Sequence, residues 1–207
     1  GPNGVLRVSA PIVFGQTWLA PRLAGFMKAC PDVDVRLTLA DRQIDLIEDG
    51  VDVAIRIAST LAPGLASRPL CGFRYLLVAA PAYLKKQGAP LTPADLAAHD
   101  CCHLGYGRFG KRWTFSGDGG RVSIDVTGRT TINNSAALVA LAAAGGGIAL
   151  VPEFAAAQAL ASGQVQRILP DWALEEPYTG AVHFVYTPGR HIPLKIRAFI
   201  DYFAALA

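Results

Sequence analysis

The sequence predicts an α/β chain folded as two lobes, each a mixed sheet flanked by helices, with two crossover segments between them. Three observations predict it. Residues 5–55 run strand, helix, strand, helix, strand. Residues 130–169 contain a second run of helix and strand. Two stretches, near 72–76 and 172–178, read as passages between the lobes. Alternating β and α elements of this kind bury both faces of a sheet under helices.

Val5 to Ser9 alternates and reads as a strand, and Ala10-Pro11 turns. Trp18, Leu19, Leu23, Phe26 and Cys30 then recur at helical spacing, with a break or kink expected near Ala20 because Pro21 follows it. Cys30-Pro31-Asp32 ends the helix, and Val33, Val35, Leu37 and Leu39 alternate as a second strand. Asp41 is placed to cap a short helix running to Gly50 that buries Ile44, Leu46 or Ile47. Val51 to Ile55 is the third strand. Leu70 to Ala80 is mostly apolar and crosses out of the first lobe.

In the second lobe, Pro81–Lys86 and Pro93–Ala98 read as short helices and Cys101 to Leu104 as a short buried strand. Trp113–Phe115 and Val122–Val126 flank the turn Gly117-Asp118-Gly119-Gly120 as a hairpin. Asn133-Asn134-Ser135 begins an alanine-rich helix to Ala144. Ile148–Val151, Glu153–Ala161 and Val165–Leu169 read as strand, helix and strand. Pro170 to Pro177 has no period and reads as the return crossing. Ala181–Tyr186 is a last strand. Pro193–Leu206 closes the chain as a helix with Leu194, Ile196 or Arg197, Phe199 or Ile200, and Phe203 inward. The lobe boundaries that follow are 1–73 with 177–207, and 74–176.

Composition narrows the function classes. With 207 residues, 52% hydrophobic and 17% charged, the chain can bury about 70% of its unfolded surface and is no disordered tail. A net charge of +3 gives no basic footprint for nucleic acid. The longest apolar stretch, Ala136–Leu141 with Ala142–Ala144, is too short to span a bilayer. No charged-then-apolar leader opens the sequence, so a cytoplasmic location is expected. Whether Gly1-Pro2-Asn3-Gly4 is native is left open, since the strand pattern starts abruptly at Val5. Cys30, Cys71, Cys101 and Cys102 form no C-x-x-C pair and have no histidine at zinc-finger spacing. They read as small reduced core residues, with no metal and no cofactor expected.

Five motifs in order resemble one family. They are Leu6-Arg7-Val8-Ser9-Ala10-Pro11, the helix end from Phe26 to Val33, and Asp45-Leu46-Ile47-Glu48-Asp49-Gly50-Val51-Asp52-Val53-Ala54-Ile55-Arg56. Gly145-Gly146-Gly147-Ile148-Ala149-Leu150-Val151-Pro152 follows, and Gly163-Gln164-Val165 with Arg197 to Phe203 completes the set. Together they resemble the effector-binding domain of LysR-type transcriptional regulators over nearly the whole chain. The resemblance implies the type 2 periplasmic-binding-protein fold and a small-molecule effector held in the cleft between the lobes. It also implies a homodimer of this domain, with a tetramer open to the full-length protein. Trp18, Arg22 or Phe26 of the first helix would pair with a helix such as Glu153–Ala161 of the partner. The family's N-terminal winged helix-turn-helix is not in this sequence, so DNA contact is expected only through that missing domain.

Candidate effector residues sit at strand ends and helix starts, where free N–H groups favour an anion. Ser9, Ala10 and Pro11 end the first strand, and Asn134 and Ser135 open the matching helix or merely cap it. Arg56 ends the third strand and could clamp a carboxylate, or equally pair with Asp41 or Asp52. Ile57 and Ala58 would form an apolar wall. Leu104 and Tyr106 end a second-lobe strand, where the tyrosine stacks on a ligand or is a surface aromatic. The expected ligand is a small organic acid, aromatic or otherwise.

Gly145-Gly146-Gly147 is read as a tight helix-to-strand turn, since no Lys-Ser/Thr follows it. His99, His103, His183 and His191 lie in no nucleophile or zinc motif, and no catalytic residue is assigned. A free-standing solute-binding protein of the same fold is the alternative, and an enzyme is a further one.

Overall fold

In the computed structural model, which describes residues 1–57 and 62–207, the chain forms two units. The first comprises 1–72 and 180–207, the second 73–179.

The first unit is built on β1 (Gly4–Ala10). It pairs in parallel with β2 (Val33–Leu39) along its full length and with β3 (Val53–Arg56) on its other side. β11 (Thr179–Tyr186) runs antiparallel to β3. The two faces of this mixed sheet differ. Leu6, Val8, Val53, Ile55 and Phe184 point to one face and are fully buried or nearly so. α1 (Ile12–Phe14), a π-helical segment Gly15–Leu19, α2 (Ala20–Ala29) and α6 (Leu194–Leu206) supply the cover. Phe199 is the hub. Its ring meets Phe203 at 4.7 Å, Phe26 at 5.4 Å and Phe184 at 6.2 Å. Each such aromatic pair adds about 0.5–1.5 kcal/mol beyond area burial. The other face carries Ser9, Ala54, Arg56, His183 and Val185, because Ser9 registers with Ala54, Arg56 with His183 and Ala54 with Val185. Leu46, Ala54 and Val185 form a small apolar cluster there, with Val51 and Leu65 against it.

Several expectations for this unit need correction. The helix is not interrupted near Ala20, but its winding changes there from π to α. The helical run continues through the π segment, where the Ala20 N–H bonds the Gly15 carbonyl, and this widened turn absorbs the missing N–H of Pro21. Residues 41–50 form no helix but a bend at 41–42 and a turn at 46–50. Asp45, not Asp41, caps a single turn, its Oδ1 accepting from the N–H groups of Ile47 and Glu48 at 3.0 Å. The Asp49 N–H reaches the Asp45 carbonyl at 2.9 Å, and Gly50 at a φ of 64° ends the turn before a helix can extend. Leu46 is buried while Ile47 is exposed. In α6, Ile196, Phe199, Ile200 and Phe203 point inward, but Leu194 in the first turn is 57% exposed. Phe26 is not available as an exposed interface residue, since it is 0% exposed inside the aromatic cluster.

The second unit centres on β4 (Ala66–Ala79), which carries the chain out of the first. β8 (Ile148–Pro152) and β9 (Gln166–Ile168) pair antiparallel with β4, and β5 (Cys101–Cys102) pairs in parallel with β8. The 101–104 strand therefore ends two residues early, with only a bridge from His103 to Thr131 beyond it. Leu76 and Val78 face α4 (Ser135–Ala143) and α5 (Glu153–Ala161), packing with Leu138, Ala142 and Ala156. Leu77 and Ala79 face the opposite side and pack with Trp113, Phe115 and Leu150. Burial on both faces is why its last four residues, Leu76–Ala79, are all apolar.

β6 (Arg112–Gly117) and β7 (Gly120–Asp125) form the hairpin. The stretch 170–177 is not a structureless crossing. Ala173–Leu174 forms β10 and adds a third strand to that hairpin beside Phe115 and Ser116. Two residues are too short to show alternation in the sequence. α3 (Pro81–Gln87) and a 3₁₀ turn (Pro93–Ala98) complete the unit, the latter started by a Thr92–Asp95 capping box. Among the described residues no helix is long and apolar enough to cross a membrane.

Candidate functional site

At the end of β1, Pro11 turns the chain into α1, and the Gly15 N–H closes the first turn on the Pro11 carbonyl at 2.8 Å. Gly15 has to lack a side chain, because a Cβ there would lie 2.2 Å from Leu39 Cδ2. The free N–H of Ile12 is taken by the chain's own carboxylate, Asp41 Oδ1 at 3.0 Å. Asp41 thus serves the start of α1 and not a helix of its own. An acid already occupies one of the donors that were expected to face a ligand.

Ser9 and Ala10 are both 0% exposed. The Ser9 hydroxyl has no hydrogen-bond partner among the described residues. Arg56 ends β3 with Nη1 donating to the Ile55 carbonyl at 2.9 Å and Nη2 buried without a partner. Neither Asp41 nor Asp52 pairs with it, since Asp52 Oδ2 instead accepts from the Arg7 backbone N–H at 2.8 Å. Burial and the nearby Arg42 guanidinium lower the pKa of Arg56 below its ordinary value. A half-buried cation with no acid against it is costly, and a ligand anion would relieve that cost. Ile57 follows, partly buried, while Ala58 lies outside the described residues. His183 was missed by sequence reasoning. It is paired in register with Arg56, on the same sheet face, and its Nδ1 is buried and unpartnered among the described residues. Only strand register brings it there, because nothing local to His183 distinguishes it.

In the second unit, Leu104, Gly105 and Tyr106 form a loop after β5 instead of a strand end. Gly105 adopts a φ of 80°, and its N–H bonds the Phe109 carbonyl at 2.8 Å. Leu104 is buried and Tyr106 is 52% exposed. The Tyr106 ring lies 5.8 Å from Phe109, which stacks on Tyr75 at 5.8 Å and meets Tyr178 edge-on at 5.7 Å. Burial raises the phenol pKa of Tyr75, and pushes that of Tyr178 up to about 12. The Tyr178 hydroxyl has no partner among the described residues, and this residue too went unnoticed in the sequence.

Asn134 is the cap of α4, its Oδ1 accepting from the Ala137 N–H at 2.9 Å. Ser135 is buried as the first residue of the helix. Replacing Asn134 by Ala is expected to lower the unfolding free energy by about 0.5–2 kcal/mol, read by urea titration of the domain.

All four cysteines are free. Burial pushes the Cys101 thiol up to about 12 and raises those of Cys71 and Cys102, which disfavours the reactive thiolate. Among the described residues no group of three or more His, Cys, Asp or Glu side chains is gathered at one place.

A family model described as the LysR substrate binding domain matches residues 1–207. The chain is 37% identical over 200 residues to a protein named Probable HTH-type transcriptional regulator LtrA from Klebsiella pneumoniae. That match covers 97% of this chain and 65% of the relative. It is 33% identical to HTH-type transcriptional regulator PtxR of Pseudomonas aeruginosa, over 97% of this chain and 63% of the relative. The chain therefore spans under two thirds of the length of these relatives. Among solved structures it is similar to CrgA, a LysR-type transcriptional regulator from Neisseria meningitidis. There the TM-score is 0.85 and the identity 27%, over 99% of this chain and 69% of that one. The regulatory domain of AphB in Vibrio vulnificus gives a TM-score of 0.78 at 29% identity, over 99% of this chain and 98% of that one. The mixed α/β architecture is that of these regulatory domains.

Proposed function

Because the chain belongs to the LysR substrate-binding-domain family, we propose that it is the ligand-sensing domain of a cytoplasmic transcriptional regulator, without catalytic activity, and that its effector is a small organic acid. Its relatives are named as transcriptional regulators. The effector would favour one conformation of the domain and so shift the assembly that carries the DNA-binding part. A homodimer of this domain belongs to the same reading. Sedimentation at micromolar concentration is expected to show it, and a pure monomer counts against it.

One observation carries the acid. Arg56 is a half-buried cation whose Nη2 has no partner among the described residues. A carboxylate there gains charge-assisted hydrogen bonds of about 1.5–3 kcal/mol each. Ser9, Ala10, Pro11 and Ile57 stand with it in the first unit. In the second unit the contacts are assigned to Leu104, Tyr106, Asn134 and Ser135, with the Tyr106–Phe109 edge favouring an aromatic acid. A thermal-shift screen of small carboxylates, amines and sugars on wild type and Arg56→Ala tests this. Acids are expected to stabilise the wild type, and the variant is expected to lose that response while still answering uncharged analogues as before. Stabilisation by amines or sugars with no effect of any acid sinks the reading.

A further inference from the structure

We propose that the anion is held on a sheet face of the first unit by Ser9, Arg56 and His183 together, with His183 as a specificity-determining residue. This rests on the acid-sensing reading above and adds His183 and the Ser9 hydroxyl as partners of its Arg56 contact.

Topology makes the argument. β1, β3 and β11 are adjacent, in that order. Arg56 stands on the middle strand. His183 is directly opposite it on β11, and Ser9 is opposite Ala54, two residues back along β3, on β1. Residues in register share a face, and strands lie about 4.8 Å apart with about 3.3 Å per residue along each. By these spacings the Arg56 Cα lies about 5 Å from that of His183 and about 8 Å from that of Ser9, so the long arginine side chain rises between the other two on one face. Each ends in a buried polar atom with no partner among the described residues: Ser9 Oγ, Arg56 Nη2 and His183 Nδ1. Ser9 is fully buried, so water cannot freely serve its hydroxyl.

Charge selects the ligand. The charged side chain acting on Arg56 is Arg42, which is itself engaged by Asp49 at 3.6 Å. The face is thus net positive around Arg56. A hydroxyl, a guanidinium and an imidazole can all donate, and a carboxylate has two oxygens with about four acceptor positions. Leu46, Ala54 and Val185 pack together as a buried apolar cluster on the same face, beside the three polar groups. The α1 start is less suited, since Asp41 already holds its Ile12 N–H.

The test uses acetate, benzoate and 2-oxoglutarate as probes, with benzamide as the uncharged control. Wild type, Arg56→Ala, His183→Ala and His183→Gln are compared by isothermal titration. The imidazole resonances of His183 are followed by NMR in the wild type, which needs no variant to fold. At least one acid is expected to bind and to shift those resonances, while benzamide does neither. His183→Ala should weaken that acid about tenfold, the loss of one hydrogen bond to a charged group, and His183→Gln should recover most of it by restoring a donor. If Arg56→Ala abolishes binding while His183→Ala leaves it unchanged and the imidazole does not move, this inference fails and the acid-sensing reading survives. If none of the three acids binds the wild type, the pocket is wrong. If the thermal-shift screen then shows amines or sugars stabilising the wild type in their place, the acid-sensing reading falls with it.

Discussion

Alanine at Gly147 is expected to destabilise the second unit by on the order of 4 kcal/mol, while alanine at Gly145 costs only about 1–2 kcal/mol. Both glycines have positive φ, 134° and 87°, in the same turn between α4 and β8. Their surroundings differ. A Cβ on Gly145 meets nothing within 4 Å, so its cost is backbone strain alone. A Cβ on Gly147 would lie 2.4 Å from the Asp100 carbonyl oxygen and 3.1 Å from Asp100 Cβ. That carbonyl accepts from Ile148 N–H at 2.9 Å, where β5 and β8 start their parallel pairing at Cys101 and Ile148. Moving it breaks a buried ladder at its first rung. Urea titration of both variants reads the difference, and equal losses would show that the close approach is not what fixes Gly147.

Phe199→Ala should lower stability by about 3–5 kcal/mol. Three other phenylalanines touch the Phe199 ring, and removing it leaves a cavity between the first sheet and its helices. Leu194→Ala, one turn earlier on the same helix, should change stability by less than about 0.5 kcal/mol because its side chain is largely in water. Calorimetric melting of the two variants separates them. A large loss at Leu194 would place that residue against something this chain alone does not provide.

How far the sequence reveals this molecule depends on the range of the interaction involved. Strands and helices with several periods were legible, as in 33–39 and 194–206, because one face is buried and repeats. Residues 41–50 were misread. Their helical spacing is real, but the cap falls at Asp45 and Gly50 turns the backbone left-handed five residues later, which leaves room for one turn only. β10 was hidden because its signal is a pairing partner and not a pattern. Of the candidate site, Arg56 and Ser9 stood out as polar residues at strand ends. His183 and Tyr178 did not, since what marks them is a missing partner, which only the packing of distant strands can reveal.

The first unit is discontinuous in the chain and the second is not. That difference sets an order of events on the ribosome. When residue 179 has emerged, every strand and helix of the second unit exists and can close its core. The first unit then still lacks most of β11, which flanks β3, and all of α6, whose phenylalanines cover Phe26. Its half-built sheet must wait, apolar face open, until residues 180–206 follow. The part begun first is finished last, so a nascent chain halted with its emerged portion ending between 180 and 206 would present the Leu6–Val8–Phe26 surface to chaperones while its second unit already resists protease.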